Sequence, residues 1–121
     1  MKNNLENIID DLKSNLSEGL LACDIWSKET GLSLVAYNQN FKYTAVLNKT
    51  MKELEKNLLS LGIPAFNNYQ ITELEMQTLL IILKLDDTHY IGFLLDKTKV
   101  AFGTLLHIII PNIIDTYNDL D

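Results

Sequence analysis

The chain has 121 residues, of which 47% are hydrophobic and 21% charged, values typical of one globular domain and not of a disordered segment. A formal net charge of −6 argues against nucleic acid or an anionic membrane surface as a partner. All ten basic residues are lysines, and the single cysteine, Cys23, excludes an internal disulfide. No signal peptide or membrane-spanning run is visible, so the sequence predicts one soluble, cytoplasmic domain over residues 1–121.

The first predicted element is an amphipathic helix over residues 3–17, which Gly19 closes. One apolar stripe at three-four spacing defines it: Leu5, Ile8, Ile9, Leu12 and Leu16. This stripe predicts a helix that packs on the core through a single face.

Two strands are predicted next, Leu20 to Trp26 and Leu32 to Tyr37, joined by the polar turn Ser27–Gly31. Gly31 is suited to the positive φ with which such a turn re-enters a strand. Cys23, inside the first strand, is expected to be a small buried side chain and not a reactive thiol.

A long second helix is predicted over residues 41–61, ended by Gly62 and Pro64. Its apolar stripe consists of Leu47, Met51, Leu54, Leu58 and Leu61, and Tyr43 and Val46 widen that stripe near the helix start. Charged side chains solvate much of the remainder, namely Lys49, Lys52, Glu53 and Lys56. The breadth of the apolar face leaves two interpretations: a helix that packs only on its own sheet, or one that also contacts a partner.

An alternating, partly charged segment, residues 69–76, predicts a half-exposed edge strand. After it, Leu79–Leu85 and His89–Leu95 are apolar runs of strand length separated by a short polar break, which predicts a hairpin. Because these runs are apolar on both faces, the hairpin is expected at the centre of a sheet that lies between helical layers.

The last predicted element is a helix over residues 97–119. Its apolar face is very wide and comprises Val100, Phe102, Leu105, Leu106, Ile109, Ile110, Ile113, Ile114 and Tyr117. Pro111 lies inside it and lacks a backbone donor, so a kink or interruption is expected within one turn of Ile110.

Signals of catalysis are weak throughout the sequence. It contains no glycine-rich phosphate loop, no paired cysteines and no nucleophile elbow. His89 follows two aspartates at the hairpin tip, where solvated turn carboxylates are far commoner than a metal site, and His107 lies on a mostly apolar helix. The prediction is therefore a protein that is not an enzyme, with no catalytic residues, no cofactor and no metal.

The predicted order is helix, two strands, helix, three strands, helix. With the turn Ser27–Gly31 opening into Leu32–Ala36, the long second helix and the apolar hairpin, this order resembles the roadblock/LC7 family over nearly the whole chain. Longin and PAS modules begin with strands, so the leading helix favours roadblock, whereas profilin has a similar order and remains a structural competitor.

The resemblance implies an α+β fold with a five-stranded antiparallel sheet, the first and last helices on one face and the second helix on the other. Roadblock proteins are typically homodimers joined through the second helix and the following strand, and they act as scaffolds or regulate Ras-like small GTPases. One helix of about 10 Å diameter cannot cover five strands spaced about 4.8 Å apart, so a second copy is also expected on physical grounds.

The predicted function is a non-enzymatic homodimer that binds and regulates or scaffolds a Ras-like small GTPase. The alternative is a profilin-like or PAS-like sensory or ligand-binding module. The expected dimer contact consists of Tyr43, Val46, Leu47, Met51, Leu54, Leu58, Ile71 and Glu73. The expected partner-binding surface consists of Lys49, Lys52, Glu53 and Lys56. A chain without arginine cannot insert an arginine finger, so any stimulation of a GTPase is expected to act by reshaping it.

Overall fold

The computed structural model describes residues 2–38, 41–64 and 68–120, with the side chains of all of these except residues 2, 3, 41 and 42. Helix α1 (Lys2–Leu16) precedes strands β1 (Leu20–Ser27) and β2 (Ser33–Tyr37), helix α2 (Phe41–Ser60), and strands β3 (Tyr69–Leu74), β4 (Thr78–Lys84) and β5 (His89–Asp96). A closing helix follows, made of α3 (Phe102–Thr104), a π-helical turn (Leu105–Ile109) and α4 (Ile110–Asn118). The predicted element order is confirmed. Within the described residues, no helix is both long and apolar enough to cross a membrane.

The strands form one antiparallel sheet in the order β2-β1-β5-β4-β3. The predicted hairpin, β4 and β5, is confirmed, with β5 as the middle strand. β3 is the predicted edge strand, but it ends at Leu74, two residues earlier than expected. Met76 and Gln77 take positive φ values of 60° and 59°, which belong to the turn into β4 and not to a strand.

The predicted α1 stripe is confirmed, since all five of its side chains are buried. They pack with the sheet and the closing helix in the larger of two hydrophobic clusters. Burying each such side chain is worth about 1.5–3 kcal/mol before the loss of conformational entropy is counted. This cluster anchors the layer opposite α2.

The central strands are apolar on both faces, as expected. On β4, Ile81 and Leu83 belong to the larger cluster, whereas Ile82 joins Trp26 and Tyr90 in a second cluster beneath α2. The first and last helices therefore cover one face of the sheet and α2 covers the other.

The end of α2 has the predicted chemistry, with one correction. Gly62 has a φ of +74°, and the backbone N–H of Ile63 donates to the carbonyl of Leu58 at 2.8 Å. Because the helix ends at Ser60, Leu61 lies in the turn and is 74% exposed, so its assignment to the apolar stripe was wrong.

The closing helix begins later than predicted, at Phe102 instead of residue 97. The Asp96 carboxylate accepts hydrogen bonds from the backbone N–H and the hydroxyl of Thr98, at 2.9 and 2.6 Å, and these bonds hold the chain in a turn. Phe102 is 52% exposed and does not join the apolar face, unlike the buried Leu105 and Ile109.

The interruption expected near Ile110 is confirmed. The turn immediately before Pro111 is π-helical, spanning Leu105–Ile109, and α4 continues through Asn118. A proline lacks the N–H of a regular turn and collides with the carbonyl four residues earlier, and the wider turn relieves that collision.

Gly92, in the middle of β5, provides a test of this packing. A Cβ atom built there would lie 2.7 Å from Cζ3 and 2.9 Å from Cη2 of the buried Trp26 ring. Gly92→Ala is expected to lower the free energy of unfolding by about 1–3 kcal/mol in urea denaturation, because the ring must shift. The matched control is Gly103→Ala, where nothing lies within 4 Å and α3 favours alanine. Equal effects of the two substitutions would contradict the described position of Trp26.

Candidate functional site

An open groove of about 510 Å³ lies on the α2 face of the sheet, beside the N-terminal half of α2. Strands β1, β5, β4 and β3 supply its floor and α2 supplies its wall. Its lining is mostly apolar, with Asp24, Asn38 and Thr44 as the polar exceptions among the residues Ala22, Cys23, Asp24, Trp26, Asn38, Tyr43, Thr44, Val46, Leu47, Leu74, Leu80, Gly92, Phe93 and Leu94.

The groove exists because α2 covers only one end of the sheet. Where α2 packs on the sheet, Met51 of the helix and Trp26 and Tyr90 of the strands are at most 2% exposed. Toward the other end, Leu80 and Leu94 are only half-buried and line the groove. A helix about 10 Å wide leaves part of a five-stranded sheet uncovered, as expected from the sequence.

The rim of the groove is apolar and open to solvent. On α2, Tyr43 and Val46 are 64% and 61% exposed, and on β3 Leu74 is 41% exposed. Single exposed apolar side chains are ordinary, but here they surround one groove.

The free edge of β3 adjoins this groove. Lys84 donates its backbone N–H to the carbonyl of Asn68, and hydrogen bonds alternate along an antiparallel pair. The backbone groups of Ile71 and Glu73 therefore point away from β4. In the part of the chain that the structure describes, no strand pairs with this edge.

Two polar contacts fix the position of α2 over the sheet. The indole N–H of Trp26 donates to Oδ1 of Asn48 at 3.1 Å, and Nδ2 of Asn48 donates to the backbone carbonyl of Lys28 at 3.0 Å. Asn48 is 5% exposed, so both of its contacts are made away from water, where losing them is costly.

A second anchor lies further along α2 at Glu55. Its carboxylate accepts a hydrogen bond from the Tyr90 hydroxyl at 3.1 Å and pairs with Lys28 Nζ at 3.3 Å. Burial raises the pKa of Tyr90 above its usual value, and the nearby Glu55 charge raises it further. Tyr90 therefore stays a hydrogen-bond donor throughout the physiological pH range.

Asp24 is the ionisable group at the floor of the groove and is half-buried. One carboxylate oxygen accepts from the Ser33 hydroxyl at 2.6 Å, and the other accepts from the Thr44 hydroxyl on α2. Burial raises the pKa of Asp24 above its usual value, and the two hydroxyl donors oppose that rise only in part. The carboxylate thus connects β1, β2 and α2.

The α2 residues predicted for a dimer contact differ in their exposure to solvent. Tyr43 and Val46 are exposed, whereas Leu47, Leu54 and Leu58 are half-buried along the inner side of α2. Met51 is 2% exposed in the second cluster and belongs to the interior of the protomer, not to its surface.

The two predicted β3 residues lie at the free edge. The Ile71 side chain is half-buried and packs against the larger cluster, on the face away from α2. Glu73 is exposed and forms a 3.1 Å salt bridge with Lys97. At the free edge, the backbone N–H and C=O groups of Ile71 and Glu73 are the groups placed to pair with another strand.

The residues predicted to bind another protein, Lys49, Lys52, Glu53 and Lys56, are all exposed. The salt bridges among the described residues involve other groups, so this charged surface is not engaged within the protomer. It lies on the solvent side of α2.

Three polar residues on the sheet-facing side of α2 were not identified from the spacing of apolar residues. Thr44, Asn48 and Glu55 face the sheet beside Met51, which the predicted apolar stripe already included. The sequence signal for these polar residues lay in the strand residues that they contact. A buried tryptophan or tyrosine needs a polar contact, and Asp24 interrupts an otherwise apolar strand.

Cys23 and His89 are two of the side chains that the sequence singles out as possible chemical groups. Burial raises the pKa of the Cys23 thiol, which disfavours the reactive thiolate. His89 Nδ1 lies 3.0 Å from the Asp86 carboxylate at the hairpin tip. Over residues 2–38, 41–64 and 68–120, no three or more His, Cys, Asp or Glu side chains are grouped so as to hold a metal ion.

Comparison with solved structures identifies the fold. MglB of Myxococcus xanthus superposes with a TM-score of 0.79 at 12% identity, covering 96% of this chain and 86% of that one. A Roadblock/LC7 domain from Streptomyces avermitilis superposes with a TM-score of 0.69 at 15% identity, covering 90% and 93% of the two chains. No protein-family model and no curated protein matches the sequence itself.

The structural competitor is more distant. Profilin II of Acanthamoeba castellanii superposes with a TM-score of 0.50 at 12% identity, covering 90% of each chain. The chain therefore has the roadblock/LC7 fold, and the resemblance seen in the order of its elements is confirmed at that level.

The Asn48 contact can be tested by mutation. Asn48→Ala is expected to lower the free energy of unfolding by about 1–3 kcal/mol, because the Trp26 N–H and the Lys28 carbonyl lose their partner in a buried site. Trp26 is the only tryptophan, so its fluorescence during urea unfolding measures the change directly. Thr50→Ala, exposed on the same helix, is the control and should leave stability within about 0.5 kcal/mol. Matching losses in the two variants would show that Asn48 does not position α2.

Proposed function

We propose that this chain is a non-enzymatic homodimeric interaction module that binds a Ras-like small GTPase and regulates or scaffolds it. The observation that carries the proposal is the open apolar groove beside α2 and the free edge of β3. The roadblock/LC7 fold supports it, because the resemblance implies a dimer joined through these same two elements.

A second copy of the chain is the occupant that best fits the groove. An isologous dimer uses one patch twice, so α2 packs near its symmetry mate and β3 lies alongside the other β3. Tyr43, Val46 and Leu47 then cover the groove of the partner, and the backbone groups of Ile71 and Glu73 acquire hydrogen bonds. Leu54 and Leu58 extend the contact along α2.

A ligand-binding module is the second candidate, favoured by the volume of the groove. About 510 Å³ falls within the range of small-molecule sites. Such sites combine a mostly apolar lining with a few polar groups directed at the ligand, whereas here two of the three polar lining residues, Asp24 and Thr44, are hydrogen-bonded to each other. A monomer that binds an apolar dye in the groove would favour this second candidate over the dimer.

The GTPase contact is proposed for the outer face of α2, around Lys49, Lys52, Glu53 and Lys56. All four side chains are exposed in the protomer and none belongs to the proposed dimer contact, so dimerisation and partner binding use different residues of α2. Because the chain has no arginine, it has no arginine finger to insert. Stimulation then acts by ordering the switch loops of the GTPase.

The homodimer predicts a mass of twice 13.8 kDa in light scattering at micromolar concentration. Val46→Asp is expected to shift the protein toward the monomer, because the dimer would bury a carboxylate on each side of the two-fold axis. The control is Ala45→Asp, on the outer face of the same helix, which adds the same charge without disrupting the dimer. A wild-type mass of 13.8 kDa would contradict the proposal.

The GTPase contact predicts retention of this protein by a small GTPase loaded with a GTP analogue or with GDP. Lys49→Ala, Lys52→Ala and Lys56→Ala are expected to reduce binding and single-turnover hydrolysis in proportion, since they remove contacts and not a catalytic cation. Lys13→Ala, on α1 in the opposite layer, is the control. Binding retained alongside a loss of rate of about 10³ at one lysine would instead indicate an inserted cation. Failure to bind either nucleotide state would contradict the GTPase proposal.

A further inference from the structure

The Asp24 carboxylate has a position that affects assembly. It lies in the middle of β1 at the floor of the groove, and its two oxygens accept hydrogen bonds from Ser33 on β2 and Thr44 on α2. Thr44 is 3% exposed, so this part of the network is already sheltered. The carboxylate itself is only half-buried and keeps its remaining solvent through the groove.

No cation compensates this charge within the described residues. The salt bridges there join Lys28 to Glu55, His89 to Asp86, Lys97 to Glu73 and Lys99 to Glu18, and none reaches Asp24. The other titratable side chain on this face of the groove is the Tyr43 phenol on the rim, because the Cys23 side chain is packed in the larger cluster on the opposite face of the sheet. From β5 and β4 the groove is lined by Gly92, Phe93, Leu94 and Leu80, none of them titratable.

Covering the groove therefore removes water from an anion that forms no salt bridge with any described residue. Desolvation disfavours the charged form of a carboxyl group and so opposes assembly as long as Asp24 is ionised. The N-terminal end of α2 acts in the other direction, since a helix dipole favours nearby negative charge by about 0.3–1 kcal/mol. In the protomer, burial already raises the pKa of Asp24 above that of a free aspartate, and further burial in the dimer raises this pKa further.

The network tolerates protonation. A neutral carboxyl group is both a donor and an acceptor, and the hydroxyls of Ser33 and Thr44 rotate to accept as well as donate. Protonated Asp24 thus keeps its link between β1, β2 and α2 while losing the charge that resists burial.

We infer that Asp24 takes up a proton when a second copy covers the groove, so that mild acidification strengthens the dimer. This regulation rests on the proposed homodimer. A group that binds protons more tightly in the dimer than in the monomer stabilises the dimer as the pH falls. Each pKa unit of difference between the two states changes the dissociation constant about tenfold per protomer, hence about a hundredfold per dimer.

The test compares the dimer dissociation constants of the wild type and of Asp24→Asn between about pH 7.5 and 5, in salt strong enough to reduce the Debye length to a few Å. High salt suppresses the general repulsion between two chains of net charge −6, which would also weaken on acidification. The amide keeps the shape of the neutral carboxyl group and one donor and one acceptor. The charge-matched control is Asp10→Asn, exposed on α1 in the opposite layer.

The wild-type dimer is expected to tighten tenfold or more toward pH 5. Asp24→Asn is expected to dimerise at least as tightly at pH 7.5 as the wild type does at pH 5, with no further pH dependence, and Asp10→Asn should follow the wild type. An independent measurement on the wild type alone, the heat of dilution in buffers of different ionisation enthalpy, should show proton uptake on dimerisation even if the variant folds poorly.

Three results would overturn the inference while leaving the homodimer in place. The first is an unchanged pH dependence of dimerisation in Asp24→Asn, and the second is no proton uptake when the wild type dimerises. The third is a weaker dimer for Asp24→Asn at every pH, which would mean that the second copy donates to, or pairs with, the ionised carboxylate. Monomers for the wild type and the variant at every pH would overturn the homodimer itself, and the regulation with it.

Discussion

A sheet that is apolar on both faces must be covered on both, and this requirement shapes the whole domain. On β4, Ile81 and Leu83 face one way and Ile82 the other, so both sides of the central strands present apolar surface that must be covered. Helix α1 and the closing helix together cover the first face. Among the described elements, α2 alone covers the second face, and a helix about 10 Å wide leaves part of the sheet open. The proposed dimer follows from the uncovered remainder.

The position of α2 is set by polar contacts as much as by burial. Asn48 links the indole of Trp26 to the backbone of the turn between β1 and β2. The Glu55 carboxylate accepts a hydrogen bond from the Tyr90 hydroxyl, and the Thr44 hydroxyl donates one to the Asp24 carboxylate. Such bonds add little to net stability but are costly to break once buried, so they fix one arrangement of helix on sheet. That arrangement leaves Asp24 at the floor of an open groove. The same contact that places the helix therefore places a charge where a second copy would cover it.

The sequence predicted those features that depend on one local pattern. The α1 stripe, the two-faced hairpin, the positive φ of Gly31 and Gly62 and the interruption before Pro111 were all confirmed. The errors arose where tertiary contacts override pattern. Leu61 continues the apolar spacing of α2 but lies beyond the end of the helix. Asp96 accepts a hydrogen bond from the backbone N–H of Thr98, and this bond holds a turn where the start of the last helix was predicted. The groove itself was anticipated only as an uncovered face, because no spacing rule places Asp24 opposite Thr44.

Hydrogen exchange at Ile71 and Glu73, followed as the protein is concentrated, shows most directly whether a second copy pairs with the free edge of β3. Their backbone amides point away from β4 and have no partner strand in the described part of the chain. If two copies join through α2 and β3, these amides become protected as the dimer forms, and Val46→Asp returns them to rapid exchange at the same concentration. Rapid exchange of both amides in the wild type at every concentration would contradict the central claim that a second copy completes the sheet.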